Sequence, residues 1–148
     1  LAAIGREARR LGVRPLVFAH DATAPALRAS AFDRVLVDAP CSGLGSARRR
    51  PELLWRVAAA DVPGLAARQL AIVTAAADLL RPGGRLVYAV CTFTRAETDA
   101  VMDVLTRRRP ELRPIAVQGP GGARERHRLW PHAHSSDGMF VAALELVS

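Results

Sequence analysis

Short apolar runs alternate along this chain with stretches long enough to be helices, and that alternation restricts the fold more than any other feature. Leu16-Val17-Phe18-Ala19 is one such run, a candidate buried strand stopping at His20-Asp21. Arg34-Val35-Leu36-Val37 is a second and stops at Asp38. Arg85-Leu86-Val87-Tyr88-Ala89-Val90 is a third, halting at Cys91-Thr92. Between the last two, Asp61 reads as the N-cap of a long helix, with Pro63 close behind it. Leu65, Ile72, Val73, Ala76, Leu79 and Leu80 share one side of that helix, and Arg81-Pro82-Gly83-Gly84 breaks it. Thr94 and Glu97 have the spacing of a capping box for a further helix through Val101, Met102 and Leu105, closed by Pro110. Strands joined by helix-length connections run parallel, with right-handed crossovers and helices over both faces. The pattern predicts an α/β fold, Rossmann-like in the broad sense, with a mostly parallel sheet.

The remaining segments are less regular. Ile4, Ala8 and Leu11 sit at helical spacing up to Gly12, as though Leu1 joined a helix already under way, which predicts a piece of a longer chain. Leu112 to Val117 reads as a strand, Gln118 to Arg126 as a mobile Gly/Arg loop, and Met139 to Val147 as a final strand. With 148 residues, 50% of them hydrophobic, the chain is expected to form one domain. No apolar run approaches the roughly 20 residues that cross a bilayer, and the first residues lack the apolar core of a secretion signal, which argues against a membrane protein or an exported one.

The formal charge is +7, and all 21 of its cationic side chains are arginine. Arginine presents a planar fork of donors that matches phosphate, so an acidic partner such as nucleic acid is expected, beside the plainer reading of a solvated basic surface. Two cysteines are too few for a disulfide scaffold, which points to a reducing cytoplasm and free thiols. His127, His132 and His134 match no standard metal spacing, so no metal is expected.

In open α/β sheets ligands lie beyond the carboxyl ends of the strands. Here those ends carry Asp21, then Asp38 with Pro40 and Cys41, then Cys91. Neighbouring strands lie about 5 Å apart, so adjacent strands ending in Asp38 and Cys91 would let both thiols face one small substrate. Asp21 is open to two readings, a ligand contact or the N-cap of a segment beginning at Ala22. Arg48-Arg49-Arg50 follows the Cys41 loop and is placed to hold phosphates, whereas Arg107-Arg108-Arg109 ends a helix. Trp55, beside Leu53 and Leu54, reads as packing more readily than as a stacking surface.

Asp38-Ala39-Pro40-Cys41-Ser42-Gly43, followed at a distance by Cys91, resembles the Sun/RsmB family of RNA cytosine-C5 methyltransferases. The likeness continues through Arg49-Arg50-Pro51-Glu52-Leu53-Leu54-Trp55-Arg56, Gln69, Leu80-Arg81-Pro82-Gly83-Gly84 and Glu97-Thr98-Asp99. It extends to Leu129-Trp130-Pro131-His132 and Asp137-Gly138-Met139-Phe140, which look like the actinobacterial ribosomal-RNA branch. The resemblance implies a class I methyltransferase fold lacking its first two strands, which carry part of the cofactor cradle. It implies S-adenosylmethionine as cofactor and RNA, specifically ribosomal RNA, as partner.

The chemistry of that reaction explains the residue types. Carbon 5 of cytosine is a poor nucleophile until a thiolate adds at carbon 6, and a carboxyl near N3 neutralises charge developing on the ring. By the resemblance Cys91 is the nucleophile, Cys41 assists product release, and Asp38 sits near both base and cofactor. Asp21 matches a position contacting the adenine, and Pro40 belongs to the same cofactor-facing motif. A helix dipole just after Cys91 would favour its thiolate. Where the family usually has Ser-Thr-Cys-Ser, this chain has Ala89-Val90-Cys91-Thr92, losing one hydroxyl before the cysteine. Two rival readings stand beside the enzyme: a non-catalytic RNA-binding module, and a thiol redox pair, against which stands the lack of a Cys-x-x-Cys motif.

Overall fold

The computed structural model describes residues 2–147, so Leu1 and the reading placed on it lie outside the described residues. Helix α1 (Ala2–Arg10) ends in a turn at Gly12, whose φ of 68° only glycine adopts freely. Residues 14–31 form neither helix nor strand. The expected strand at Leu16–Ala19 is therefore absent: Leu16 is 88% exposed, and no strand among the described residues lies beside it. An apolar run becomes a strand only where a neighbour takes up its backbone N–H and C=O groups.

Strand β1 (Phe32–Asp38) leads into two short 3-10 turns and helices α2 (Leu53–Arg56) and α3 (Val62–Ala77), then strand β2 (Leu80–Val90). Next come α4 (Asp99–Arg108), β3 (Leu112–Pro114), β4 (Val117–Gly119), β5 (Gly122–Arg124), β6 (Arg126–Leu129), α5 (Pro131–His134) and β7 (Met139–Leu146). The main sheet runs β1-β2-β7-β3, with β6 also paired to β7. Only β1 and β2 are parallel; β7 is antiparallel to β2, β3 and β6. The sheet is mixed, which corrects the mostly parallel expectation. The crossover through α3 is long enough for a parallel return, whereas the short α5 link from β6 to β7 permits only an antiparallel one.

Three local readings also change. Asp61 does not cap α3; its carboxylate accepts from the Ala58 N–H at 2.9 Å and closes the preceding turn. Residues 81–84 lie inside β2 as a bulge, because Phe32 faces Leu80 while Arg34 faces Arg85. Gly84 is required there, since a Cβ would stand 2.9 Å from the Phe32 carbonyl oxygen. The Gly/Arg segment is a hairpin, β4 against β5, turned by Pro120-Gly121 with Gly121 at φ 83°.

The core lies on one face of the sheet. Leu86, Tyr88 and Val90 of β2 and Phe140, Ala142 and Leu144 of β7 pack with Ile72, Val73 and Ala76 of α3 and Val101, Met102 and Leu105 of α4. Val87 and Ala89, on the opposite face of β2, are only half-buried, so the helical cover is one-sided here rather than on both faces.

Candidate active site

Parallel pairing sets the site. Asp38 lies opposite Ala89, so the chain leaving β1 and the chain leaving β2 emerge side by side. Cys41 and Cys91 follow within a few residues, and their sulfurs stand 3.4 Å apart with both side chains half-buried. Burial, and then the hydrogen bond to the Cys91 sulfur, push the Cys41 thiol up to about 12. At neutral pH Cys41 is therefore an S–H group facing Cys91.

Beneath the sulfurs is a buried polar cluster centred on Glu97, which is 0% exposed. Its Oε1 accepts from the Ser42 N–H at 2.7 Å and from Gln69 Nε2 at 3.0 Å. Its Oε2 accepts from the hydroxyls of Ser42 at 2.7 Å, Thr94 at 2.8 Å and Thr92 at 3.1 Å. Gln69 also donates to the Pro40 carbonyl, and the Tyr88 hydroxyl bonds Gln69 and the Glu97 carbonyl oxygen. Burial alone would raise the Glu97 pKa; the donors outweigh it and hold the carboxyl below the ordinary carboxylate range. Ser42 and Thr92 directly follow the two cysteines, so one carboxylate ties both thiol-bearing loops to α3 and to the turn before α4. The capping-box spacing found Glu97, but only half the box forms: Thr94 Oγ1 accepts from the Glu97 N–H while the carboxylate turns inward.

Backbone contacts join a third segment. The Gly45 N–H donates to the Cys91 carbonyl at 3.0 Å, and the Gly138 N–H donates to the Gly45 carbonyl at 2.7 Å. A Cβ on Gly45 would fall 1.9 Å from the Gly138 carbonyl oxygen and 2.9 Å from that of Cys91. Gly45→Ala is expected to cost about 2–3 kcal/mol by overpacking, read as a lowered melting temperature of the full-length protein. Asp137 reinforces the junction by accepting from Arg49 Nε at 2.8 Å.

The other residues singled out by sequence take distinct places. Asp21, Pro40 and Ile72 line one cavity of about 370 Å³, and Asp38 lines an adjoining one of about 260 Å³ that shares His20, Ala22 and Ile72. Asp38 and Asp21 are both exposed. Asp21 caps no helix; its Oδ1 accepts from the Thr23 N–H and hydroxyl in a tight turn, which lowers its pKa. Arg48, Arg49 and Arg50 are exposed, with Arg49 paired to Asp137 and Arg50 to Glu52. Arg109 is held by Asp78 and Glu111. Trp55 is 84% exposed, which overturns its reading as a packing residue, since helix α2 is a single turn with no neighbour over that face. The helix-dipole support for Cys91 also falls: α4 begins only at Asp99, and Arg128 already faces that end through Thr98 and Asp99. Among the described residues no three potential metal ligands gather; His127 Nε2 bonds the Val117 carbonyl, and His134 Nδ1 accepts from the Trp130 N–H.

A mixed α/β sheet with reactive groups beyond adjacent parallel strand ends defines a class I methyltransferase-like protein. The same fold is seen in the N-methyltransferase NodS from Bradyrhizobium japonicum, with a TM-score of 0.54 over 99% of this chain and 69% of that one at 17% identity. The chain belongs to the RsmB/F family, described as 16S rRNA methyltransferase RsmB/F, whose pattern matches residues 1–145. It is 42% identical over 115 residues to ribosomal RNA small subunit methyltransferase B of Thermus thermophilus, covering 78% of this chain and 28% of that protein. It is 48% identical over 124 residues to a Mycobacterium tuberculosis protein provisionally named a methyltransferase, covering 76% and 26%. The crystal structure of NSun6 from Pyrococcus horikoshii with SFG superposes at a TM-score of 0.80 and 30% identity, over 99% of this chain and 38% of that one. The chain thus spans little more than a quarter of the length of the Thermus thermophilus and Mycobacterium tuberculosis relatives. No helix among the described residues is long and apolar enough to cross a membrane.

Proposed function

We propose that this chain is the carboxyl-terminal part of the catalytic domain of an RNA cytosine-C5 methyltransferase, acting in the cytoplasm on small-subunit ribosomal RNA with S-adenosylmethionine. The observation that carries this reading is the pair of free thiols 3.4 Å apart beyond adjacent parallel strands, in a chain of this family. Cys91 adds as thiolate to carbon 6 of the cytosine, and the electrons of the 5,6 double bond move into the ring, where the Asp38 carboxyl near N3 neutralises the growing charge. S-adenosylmethionine supplies an electrophilic methyl on a sulfonium when bound. Loss of the proton from carbon 5 then restores the double bond and expels the Cys91 sulfur, a release that Cys41 assists.

The groove at Asp21, Pro40 and Asp38 fits such a cofactor. The exposed Asp21 carboxylate suits a cation or its ribose, Asp38 borders the same groove, and the apolar wall at Ile72 and Ala22 suits an adenine. Arg48, Arg49 and Arg50 hold phosphates of the RNA next to the flipped base. The test is to incubate the full-length protein with S-adenosylmethionine and 16S rRNA, then assay digested nucleosides. New 5-methylcytidine is expected; RNA binding without it would make the chain a non-catalytic binding module.

Strands preceding residue 1 complete the sheet in this proposal by pairing with the edge of β1 that no strand among the described residues occupies. The isolated 148 residues are therefore expected to unfold over a broad range, and a single sharp thermal transition would count against that completion.

A further inference from the structure

Beside Cys91 an aromatic row reaches the surface. The ring centroids of Phe93 and Trp130 are 6.1 Å apart, and those of Trp130 and His132 are also 6.1 Å apart, with planes tilted by 35° and 33°. Phe93 is 45% exposed, Trp130 half-buried and His132 exposed, so the row is not core. Adjoining rings that reach the surface together form an apolar patch that favours a covering partner.

Their position is fixed relative to the thiols. Phe93 lies two residues beyond Cys91, and the segment carrying Trp130 and His132 is tied to the Cys41 loop through Gly138 with Gly45 and Asp137 with Arg49. Trp130 also borders a cavity of about 380 Å³ together with Arg124, Arg126, Arg128 and His134. Arg126 pairs with Asp99 and Asp103 and Arg128 with Asp99, so these two cations are balanced, whereas Arg124 has no carboxylate partner among the described residues and is the cation the rim offers. Apolar ring faces next to cations are complementary to one class of partner, a single-stranded nucleic acid, whose bases stack on aromatics while its phosphates meet arginine.

We propose that Phe93, Trp130 and His132 form a stacking platform for an unpaired RNA base flanking the target cytidine, with the adjoining phosphate held by Arg124 at the cavity rim. This rests on the RNA methyltransferase reading and adds to it a subsite outside the reacting groups. The flanking nucleotide, once stacked, holds the strand open so that the target base can turn toward Cys91. Selection at this subsite is for an unstacked strand rather than for a particular base, because every base offers a π face.

The test compares binding of a short oligocytidylate and of an abasic strand with the same number of phosphates, using the full-length protein. Phe93→Ala and Trp130→Ala are each expected to weaken oligocytidylate binding about tenfold, leaving the abasic strand and the salt dependence unchanged. Trp130→Phe is expected to restore most of the loss. Equal binding of oligocytidylate by wild type and both alanine variants would overturn the platform, as would an equal loss for both strands in variants that melt at the wild-type temperature, because stacking needs a base and the abasic strand has none. Methyl transfer by the wild-type protein is scored in parallel: if it persists while the platform fails, only the platform is wrong, and if wild type neither binds nor methylates RNA, both readings fall.

Discussion

Cys91→Ser in the full-length protein is expected to lower methyl transfer by roughly a thousandfold or more and to leave no covalent RNA adduct on a denaturing gel. Serine keeps the shape, but its hydroxyl is far less ionised than a thiol and a weaker nucleophile toward carbon 6. Cys41→Ser is expected to do the opposite to the adduct. The attack at carbon 6 proceeds, release stalls, and protein accumulates on RNA. Burial and the hydrogen bond to Cys91 push the Cys41 thiol up, which supports the proposed assignment of Cys91 as the attacking sulfur. An adduct trapped by Cys91→Ser rather than Cys41→Ser would exchange the two roles. Identical behaviour of both variants and wild type, with no methyl transferred, would sink the covalent mechanism.

Glu97→Ala is expected to cost about 3–5 kcal/mol of folding stability, because it strands buried donors rather than removing one contact. The Ser42 N–H and one Gln69 amide hydrogen would have no acceptor, in a region where Glu97, Gln69 and Thr92 are all fully buried. Glu97→Gln is a gentler change. Its carbonyl still accepts from Ser42 and Gln69, and its amide donates to two of the three hydroxyls of Ser42, Thr92 and Thr94, which can rotate to accept, leaving the third to find another partner; about 1–2 kcal/mol is expected. Urea unfolding of the full-length protein measures both, and a Glu97→Ala midpoint equal to wild type would contradict the role of the cluster.

The same carboxylate gives a pH signature. Its folded pKa lies below the ordinary 4.5, so its contribution is complete above pH 4.5 and is lost as pH falls through the folded value. The stability gap between wild type and Glu97→Gln is expected to narrow below pH 4.5, and a gap independent of pH would show that Glu97 is not ionised in the fold.

What could be read from the sequence divides along physical lines. Helix α3, helix α4 and strands β2 and β7 were legible because each buries a periodic apolar face, and β1 because its apolar run lies between polar ends; such patterns are properties of the local chain. The direction of β7 was not, since antiparallel pairing depends on which partner lies alongside. Leu16–Ala19 failed for the same reason: its apolar run is strand-like, but a strand needs a neighbour. At the site, the two cysteines were found at strand ends, and pairing of those strands follows from a single crossover. Glu97 was seen as a cap and missed as the centre of a cluster, because its donors come from positions as far apart in sequence as Ser42 and Gln69. The spacing of Thr94, Glu97 and Thr98 was its only local trace. Trp130 was noted for its motif, while its contact with Phe93 is a purely tertiary fact.

The Cys41 loop, the Cys91 loop and the segment ending at Gly138 are laced together through main-chain atoms, with Gly45 bonded on one side to Cys91 and on the other to Gly138. Main-chain bonds do not depend on which side chain a position carries. Exposed side chains around the junction, such as Arg48 and His132, can therefore be exchanged while the sulfurs stay in register. Substrate preference can be rewritten at the periphery of such a centre with its chemistry left intact, whereas Gly45 and Gly138 are denied that freedom.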